Sequence, residues 1–425
     1  MRSQPAGQSP TPVSPAKDPA PQAPASPATA RKPRPPARAP AAKAKSNGTP
    51  FESVALLLQG GGALGSYQAG VYEALCEHNI DPSWVAGISI GAINSAIIAG
   101  NAPKERVAKL RAFWELVSTP ITTLSSFLPK FLHEGQSRGV INQLAAAGVM
   151  TKGVQGFFEP RVPPPFAQPA ANGAATSWYD TAPLKATLES LVDFDRINHK
   201  DAMRFSVGAV NVETANFAYF DNATDTIIPE HIMASGALPP AFAAVEIDGQ
   251  FYWDGGLVSN TPLSWVLSAH SDLDTLVFQV DLWSASGQMP TDLAGVATRI
   301  KDIQFSSRTR AATKEFAVGQ ELRAAYRQLM KDMPAELAAT PAAKRLAAAS
   351  DPAVYNIVQL IYKSPGYEQQ SKDYEFSRWT MEDHWRTGYE NAITSLSHPE
   401  VLTLPPELPG LAVYDFVSKP EPRSA

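Results

Sequence analysis

The chain has 425 residues, of which 44% are hydrophobic and 18% charged, and its formal net charge at pH 7 is -5. This balance is typical of a globular protein and excludes a fibrous or wholly disordered chain. The single cysteine, Cys76, excludes an internal disulfide and a zinc site built on paired thiols.

The first 50 residues differ in composition from the rest of the chain. They carry 8 Lys and Arg against 1 acidic residue and consist mainly of Pro, Ala, Ser, Lys and Arg. Such a segment buries too little apolar surface to offset the entropy of folding. We predict a disordered basic arm over residues 1–50. A solvated tail explains its charge better than a contact with nucleic acid or anionic lipid, and we expect no nucleic-acid partner.

The sequence carries no signal for export or for a membrane span. No apolar segment follows Arg2 as in a secretory signal peptide. The longest apolar stretch, residues 86–100, is too short to cross a bilayer. We therefore predict a cytoplasmic location, with peripheral contact at a membrane as an open alternative.

Two strand and helix units are predicted in series after the arm. An apolar run over residues 54–58 indicates a buried strand, and helical spacing begins at Ala63. A second strand over residues 84–88 leads into a helix of small residues over 91–98. Such units imply parallel strands joined by right-handed crossovers. The predicted fold class is α/β, a three-layer sandwich with a mostly parallel central sheet.

The rest of the chain continues this alternation and then becomes helical. The predicted elements are mainly helix over 105–150, irregular chain over 153–177, helix over 184–192, strands over 205–212, 217–220 and 275–282, and a hairpin over 245–253 that turns at Asp248-Gly249. Beyond residue 285 the spacing is helical to about residue 396, and the end is rich in proline. We divide the chain into the basic arm, an α/β domain over 51–285 and a mainly helical extension over 286–425.

The segment Gly87-Ile88-Ser89-Ile90-Gly91 fits the pattern G-x-S-x-G. In this pattern the glycines allow a strained turn that lifts the serine hydroxyl above the sheet. The predicted strand before it and the helix after it are the context that the pattern requires. We favour a nucleophilic Ser89 over a serine that merely occupies a turn, and we assign Gly87 and Gly91 to the elbow.

The block Gly60-Gly61-Gly62-Ala63-Leu64-Gly65 follows the first strand and opens a helix. Backbone N–H groups at that point lack partners within the helix and can hold an oxyanion. The block also fits the dinucleotide-binding pattern G-x-G-x-x-G. That alternative needs an acidic residue at the end of the second strand, where this chain has the serine turn. We therefore favour an oxyanion hole formed by Gly60, Gly61, Gly62 and Gly65.

Asp254 is the predicted base for the serine. It ends an aromatic strand and is followed by Gly255 and Gly256, which allow the chain to bend toward a neighbouring elbow. Asp248 already has a structural role in its turn. A triad would need His270 or His384, each of which is better explained as a helical or surface residue.

These three blocks together resemble the bacterial patatin-like phospholipase family over roughly residues 53–285. The glycine-rich block, the serine elbow and the Asp-Gly-Gly segment have the order and approximate spacing of that family, and residues 234–240 are similar to the loop before its aspartate block. One position departs: many members carry Arg or Lys where this chain has Leu64. The helical region after residue 285 resembles an extension found in a bacterial subset.

The resemblance implies a Ser-Asp dyad, with Ser89 as nucleophile, Asp254 as base and the amides of Gly61 and Gly62 as oxyanion donors. The implied activity is hydrolysis of lipid or other acyl esters without a metal or cofactor. The alternative is a catalytically inactive binding or scaffold protein of the same fold. Candidates for an apolar groove are Phe113, Trp114, Phe127, Phe131, Phe157 and Phe158, with core packing as an equal alternative. For residues 124–132 we favour core packing over contact with a membrane surface.

Overall fold

The computed structural model describes residues 49–119, 135–170, 173–268, 273–350, 352–368, 370–407 and 409–417. The predicted disorder of the basic arm, and the choice between core packing and membrane contact for residues 124–132, concern parts of the chain outside these ranges. None of the described helices combines the length and the hydropathy needed to cross a bilayer.

Eleven strands are formed within the described residues. They are β1 (Ser53–Leu58), β2 (Trp84–Gly87), β3 (Glu159–Pro160), β4 (Tyr179–Asp180), β5 (Arg204–Asn211), β6 (Phe217–Asp221), β7 (Val245–Ile247), β8 (Gln250–Asp254), β9 (Thr275–Asp281), β10 (Tyr355–Ile361) and β11 (Leu411–Tyr414). All the strands predicted from the sequence are present.

Twelve α-helices accompany these strands in the described ranges. They are α1 (Ser66–Glu77), α2 (Ile90–Ala99), α3 (Arg106–Val117), α4 (Gly135–Lys152), α5 (Ala182–Leu191), α6 (Phe194–Ile197), α7 (Pro229–Ser235), α8 (Leu263–Ser268), α9 (Leu293–Lys331), α10 (Ala335–Ala338), α11 (Pro341–Ala349) and α12 (Arg378–Leu396). Residues 153–177 contain short 3-10 turns and one two-residue strand, in agreement with the predicted irregular segment.

Nine strands form one central sheet in the order β11-β10-β9-β1-β2-β5-β8-β7, and β6 pairs with β5. Every pairing from β11 across to β5 is parallel. The pairings of β5 with β6 and β8, and of β7 with β8, are antiparallel. The carboxyl ends of the parallel strands therefore share one edge, where ligand sites of open α/β sheets form.

Both faces of the sheet are covered, which confirms the three-layer prediction. In β1, Val54, Leu56 and Leu58 belong to one buried cluster, whereas Ala55 and Leu57 belong to another. Side chains alternate between the faces of a strand, so the two clusters lie on opposite sides of the sheet. Helices α1, α2 and α12 contribute to the first cluster, and α8 contributes to the second.

The C-terminal region is mainly helical, as predicted, but it also adds two strands that the sequence did not indicate. Strand β10 pairs in parallel with β9, and β11 pairs with β10. The segment of β10 is short and mostly apolar, a pattern that fits a buried helical turn as well as a buried strand. The segment forms a strand because the edge of β9 provides its backbone with hydrogen-bond partners. The C-terminal region therefore extends the same sheet.

Helices α1 and α12 cross at two glycines. A Cβ on Gly388 would lie 2.0 Å from the carbonyl oxygen of Tyr67, and one on Gly70 would lie 1.9 Å from that of Trp385. We expect Gly388→Ala to lower the free energy of unfolding by about 1–3 kcal/mol because the helices must separate. Urea unfolding followed by circular dichroism measures this change.

Gly319 in α9 provides the matched control, since a Cβ there would meet nothing within 4 Å. Gly319→Ala should raise stability by about 0.5–1 kcal/mol, because alanine favours a helix more than glycine does. A stabilising Gly388→Ala would contradict the close crossing of the two helices.

Candidate active site

Ser89 stands in the sharp turn between β2 and α2, with φ 55° and ψ -122°. A residue with a side chain adopts this conformation only when the surrounding structure enforces it. The flanking glycines make the turn possible. A Cβ on Gly87 would lie 2.2 Å from the carbonyl oxygen of Gly91, and a Cβ on Gly91 would lie 2.1 Å from that of Leu58. The strand, strained turn and helix that the G-x-S-x-G pattern predicts are present.

A second serine supports this turn from behind. The backbone N–H of Ser89 donates to the hydroxyl oxygen of Ser235 at 3.0 Å, and that hydroxyl donates to the carbonyl of Gly208 at 2.7 Å. Ser235 is fully buried at the end of α7. No sequence pattern indicated this role of Ser235, because its two partners lie 27 and 146 positions away in the chain.

Asp254 ends β8, next to β5 in the sheet, and is only 3% exposed. Its carboxylate accepts a hydrogen bond from the N–H of Gly256 at 2.7 Å. Gly255 allows the chain to turn here, since a Cβ would lie 2.7 Å from the carbonyl oxygen of Gly208. The Asp-Gly-Gly segment thus forms the strand end and bend that its sequence indicates.

Burial raises the pKa of Asp254 from 3.8 to about 7, because removal from water disfavours the charged carboxylate. The hydrogen bonds with the Gly256 N–H and with the Ser89 side chain lower the pKa and offset part of this effect. A carboxyl group with a pKa near 7 is both a stronger base than an exposed aspartate and substantially ionised at neutral pH. The electrostatics therefore suit proton transfer with the neighbouring serine.

The glycine loop, residues 60–65, lies beside the serine. The N–H groups of Gly61 and Gly62 have no hydrogen-bond acceptor within the described chain, and both residues line the cavity that contains Ser89. Gly62 has a φ of +57°, and a Cβ there would lie 2.0 Å from the carbonyl oxygen of Asp373. These two amides therefore border the same cavity as Ser89 and are without an acceptor in the described part of the chain.

Gly60 has a supporting position in this loop. Its N–H donates to the carbonyl of Asn260 at 3.3 Å. Its carbonyl accepts from the Asn260 side-chain amide at 2.9 Å and from the Trp283 indole at 2.8 Å. No sequence pattern indicated Asn260, which precedes α8, or Trp283, which follows β9. Both the N–H and the carbonyl of Gly60 are hydrogen-bonded within the protein. In this respect Gly60 differs from Gly61 and Gly62, whose N–H groups have no acceptor in the described residues.

Gly65 lies outside the cavity, contrary to its predicted place in the oxyanion hole. Its carbonyl accepts a hydrogen bond from Asn94, and a Cβ would lie 2.6 Å from Ile90 and 2.9 Å from Trp114. Gly65 is needed for close packing of the loop against α2. Leu64, where a basic residue is usual in the family, is fully buried in the core.

A cavity of about 360 Å³ connects these groups. Its lining includes Ser89, Asp254, the loop glycines and Asn260 together with many apolar side chains. The apolar lining consists of Ile90, Ile93, Val149, Met150, Phe157, Phe158, Tyr179, Leu238, Ala241, Phe242, Trp283, Phe305, Tyr374 and Phe376. Ser89 and Asp254 thus share a cavity whose mostly apolar lining suits a hydrocarbon chain.

The structure divides the six predicted groove aromatics. Phe157 and Phe158 line the cavity, as predicted. Phe113 and Trp114 are core residues instead, and the Trp114 indole donates to Asn94. Phe127 and Phe131 belong to a segment outside the described residues. The sequence does not distinguish aromatic residues of the core from those of the cavity, because both occur in similar apolar segments.

The histidines do not supply a triad in the part of the chain that the structure describes. None of His78, His199, His231, His384 and His398 lines the cavity. His384, considered above as a surface or helical residue, lies in α12 but is buried and paired with Glu368. His270 and His133 lie outside the described residues. Among the described residues there is also no group of three or more potential metal ligands.

Comparison with known proteins finds two family models and a solved structure similar to this chain. A family model described as patatin-like phospholipase matches residues 56–266, and a second described as patatin phospholipase matches residues 303–408. Among solved structures, the chain is similar to VipD from Legionella pneumophila, with 14% identity, a TM-score of 0.34, and coverage of 85% of this chain and 71% of that one. No curated protein matches the chain.

Proposed function

Because this chain belongs to the patatin-like phospholipase family, a family of lipid hydrolases, we propose that it cleaves carboxylic esters of lipids with Ser89 and Asp254 as a catalytic dyad. One observation carries the proposal. Ser89, the buried Asp254 and the free amides of Gly61 and Gly62 all line the same apolar cavity.

The first step forms an acyl-enzyme. The Ser89 hydroxyl oxygen attacks the ester carbonyl carbon while Asp254 accepts the hydroxyl proton. The carbonyl oxygen becomes negatively charged and receives hydrogen bonds from the amides of Gly61 and Gly62. When the tetrahedral intermediate collapses, the bond to the leaving alcohol breaks and Asp254 returns the proton to the alcohol oxygen.

The second step releases the fatty acid. Water gives a proton to Asp254 and adds to the acyl carbon, which again places negative charge beside Gly61 and Gly62. The bond to Ser89 then breaks, and the proton on Asp254 passes to the serine oxygen. The dyad is restored, and no step requires a metal ion or a cofactor.

The expected substrates are phospholipids, lysophospholipids or simpler aliphatic esters. The aromatic and aliphatic lining of the cavity supports this proposal, since it offers an acyl chain burial away from water. Peripheral contact with a membrane would bring such substrates to the site, as proposed from the sequence.

A fluorophosphonate probe tests the proposed nucleophile. We expect the wild-type protein to form a covalent phosphonyl adduct on the peptide that contains Ser89, with loss of fluoride. Ser89→Ala should not be labelled, whereas the control Ser286→Ala, in which the exposed Ser286 is changed, should be labelled as the wild type is. Mass spectrometry of digested protein identifies the modified peptide.

The same experiment separates the two functions considered from the sequence. A folded wild-type protein that is neither labelled nor able to turn over medium-chain p-nitrophenyl esters would contradict the hydrolase and favour the inactive binding protein. Labelling at another serine would remove Ser89 from the proposed dyad.

A further inference from the structure

Four residues of the C-terminal region line the candidate active-site cavity. They are Phe305 in α9 and Asp373, Tyr374 and Phe376 in the segment before α12. The serine and aspartate blocks belong to the preceding α/β domain. The wall of the cavity is thus shared between that domain and the extension over 286–425.

Residues 373–376 form a strap whose two ends are hydrogen-bonded to the α/β domain. At one end, the carbonyl of Asp373 accepts from the N–H of Ala63 in the glycine loop at 2.8 Å. At the other end, the carbonyl of Phe376 accepts from the N–H of Thr119, which follows α3, at 2.7 Å. The strap therefore runs along the cavity from the glycine loop to the end of α3.

Further contacts hold both ends of the strap in place. The N–H of Arg378 donates to the carbonyl of Thr119 at 3.1 Å. The carboxylate of Asp373 is paired with Lys301 of α9, whose Nζ atom is 2.7 and 2.9 Å from the two carboxylate oxygens. Lys301 lies one helical turn before Phe305, so this ion pair joins the strap to the cavity residue of α9.

Phe376 contributes its ring to an aromatic cluster in the cavity. It is 3% exposed, and its ring centroid is 6.1 Å from that of Phe157 with an interplanar angle of 83°. Phe157 also packs against Phe158 and Phe242, with ring centroids 5.4 and 6.2 Å apart. All four rings line the cavity. One member of this cluster is therefore supplied by the C-terminal region.

We propose that the strap forms one wall of an acyl-chain site and that Phe376 limits the length of the chain that the site accepts. The cavity volume of about 360 Å³ is near the lower end of the range for small-molecule sites. We therefore expect a preference for acyl chains of medium length. The part of this inference that concerns catalysis rests on the proposed function, whereas binding of the chain does not.

A purely structural role of Phe376 predicts a different result. If the ring only packed the core, its removal would lower stability and would affect all ester substrates alike. If the ring bounds the site, its removal leaves an apolar space that a longer chain can fill, since apolar cavities stay dry and accept apolar ligands. The relative activity toward long and short esters distinguishes these two roles.

The test compares kcat/KM for p-nitrophenyl butyrate, octanoate and laurate in the full chain. In Phe376→Ala the ratio of kcat/KM for laurate to that for butyrate should rise about tenfold over the wild type, a typical effect of small size differences in an apolar pocket. In Phe376→Leu the same ratio should rise about threefold, because leucine fills part of the space and disturbs the packing less.

Phe316→Ala is the matched control. Phe316 is another aromatic residue of the C-terminal region, with its ring centroid 5.1 Å from that of Tyr355, and it is not among the described residues that line the cavity. This variant should keep the wild-type ratio. An unchanged ratio in the folded Phe376 variants, or an equal rise in Phe316→Ala, would overturn the proposal. Circular dichroism verifies that each variant is folded.

Binding of free fatty acids separates this inference from the proposed function, since it requires no catalysis. In calorimetric titrations, the affinity for laurate relative to octanoate should rise about tenfold in Phe376→Ala. If the wild-type protein hydrolyses no ester, the proposed function fails. The titrations alone then decide the inference, and equal relative affinities in the wild type and Phe376→Ala would contradict it.

Discussion

Replacing Asp254 with Asn is expected to lower kcat by about 100- to 10,000-fold, because the amide cannot accept the proton of Ser89. In the wild-type protein kcat/KM should rise with pH up to about 7, since the carboxyl group must be ionised to act as a base and its pKa is about 7. Steady-state kinetics with a soluble ester between pH 5 and pH 9 measure both effects.

The same variant is expected to be more stable than the wild type above neutral pH. The pKa of Asp254 is about 7 in the folded protein, against the ordinary aspartate pKa of 3.8. Ionisation is thus disfavoured in the folded state, and wild-type stability falls as the pH rises between these two values. Asn does not ionise, so its advantage should grow over this window to about 4 kcal/mol.

Asp248→Asn is the matched control for this prediction. Asp248 lies in the neighbouring hairpin turn with a φ of 51°, a conformation that Asn also tolerates. This variant should keep the activity and the pH dependence of stability of the wild type. A wild-type kcat in Asp254→Asn would remove Asp254 from the dyad. Urea unfolding at several pH values measures whether ionisation of the buried carboxyl lowers the free energy of unfolding as predicted.

Gly62→Ala is expected to lower kcat by about 100- to 1,000-fold, the loss typical of a missing oxyanion donor. A Cβ at this position would lie 2.0 Å from the carbonyl oxygen of Asp373, which is backbone and cannot rotate away. The loop must therefore shift, and the N–H groups of Gly61 and Gly62 shift with it. Pre-steady-state acylation of Ser89 by a p-nitrophenyl ester measures this loss directly.

The control Gly249→Ala distinguishes the effect of the steric clash at Gly62 from the effect of backbone strain at a positive φ. Gly249 also has a positive φ, +74°, but a Cβ there would meet nothing within 4 Å. This control should lose some stability through strain and should keep its acylation rate. If Gly62→Ala acylated as fast as Gly249→Ala, the glycine loop would have no part in stabilising the oxyanion.

The C-terminal region has two structural roles, one in the central sheet and one at the glycine loop. Its strands β10 and β11 extend the sheet, which explains why a region outside the serine and aspartate blocks is part of the same architecture. Its contacts with Ala63 and Gly62 place it at the candidate site. A region that the sequence presents only as helical is therefore structurally joined to the glycine loop.

The local geometry of the candidate site is encoded in short segments of the sequence. At Gly87 and Gly91 in the elbow, Gly255 in the bend and Gly62 in the glycine loop, a Cβ would clash with backbone atoms, and glycine meets such a requirement without any change elsewhere in the chain. The apolar run of β1 and the two strand and helix units likewise predicted the α/β sandwich. Local steric requirements and hydrophobic periodicity depend on consecutive residues, so their consequences can be predicted without a structure.

Which groups complete the site depends on the tertiary structure. Gly61 and Gly62 line the cavity and Gly65 does not, and Phe113 and Trp114 are in the core while Phe157 and Phe158 line the cavity. Ser235 contacts the elbow and Asn260 contacts the glycine loop. These contacts join residues far apart in the chain, and they depend on packing and burial that no single segment encodes.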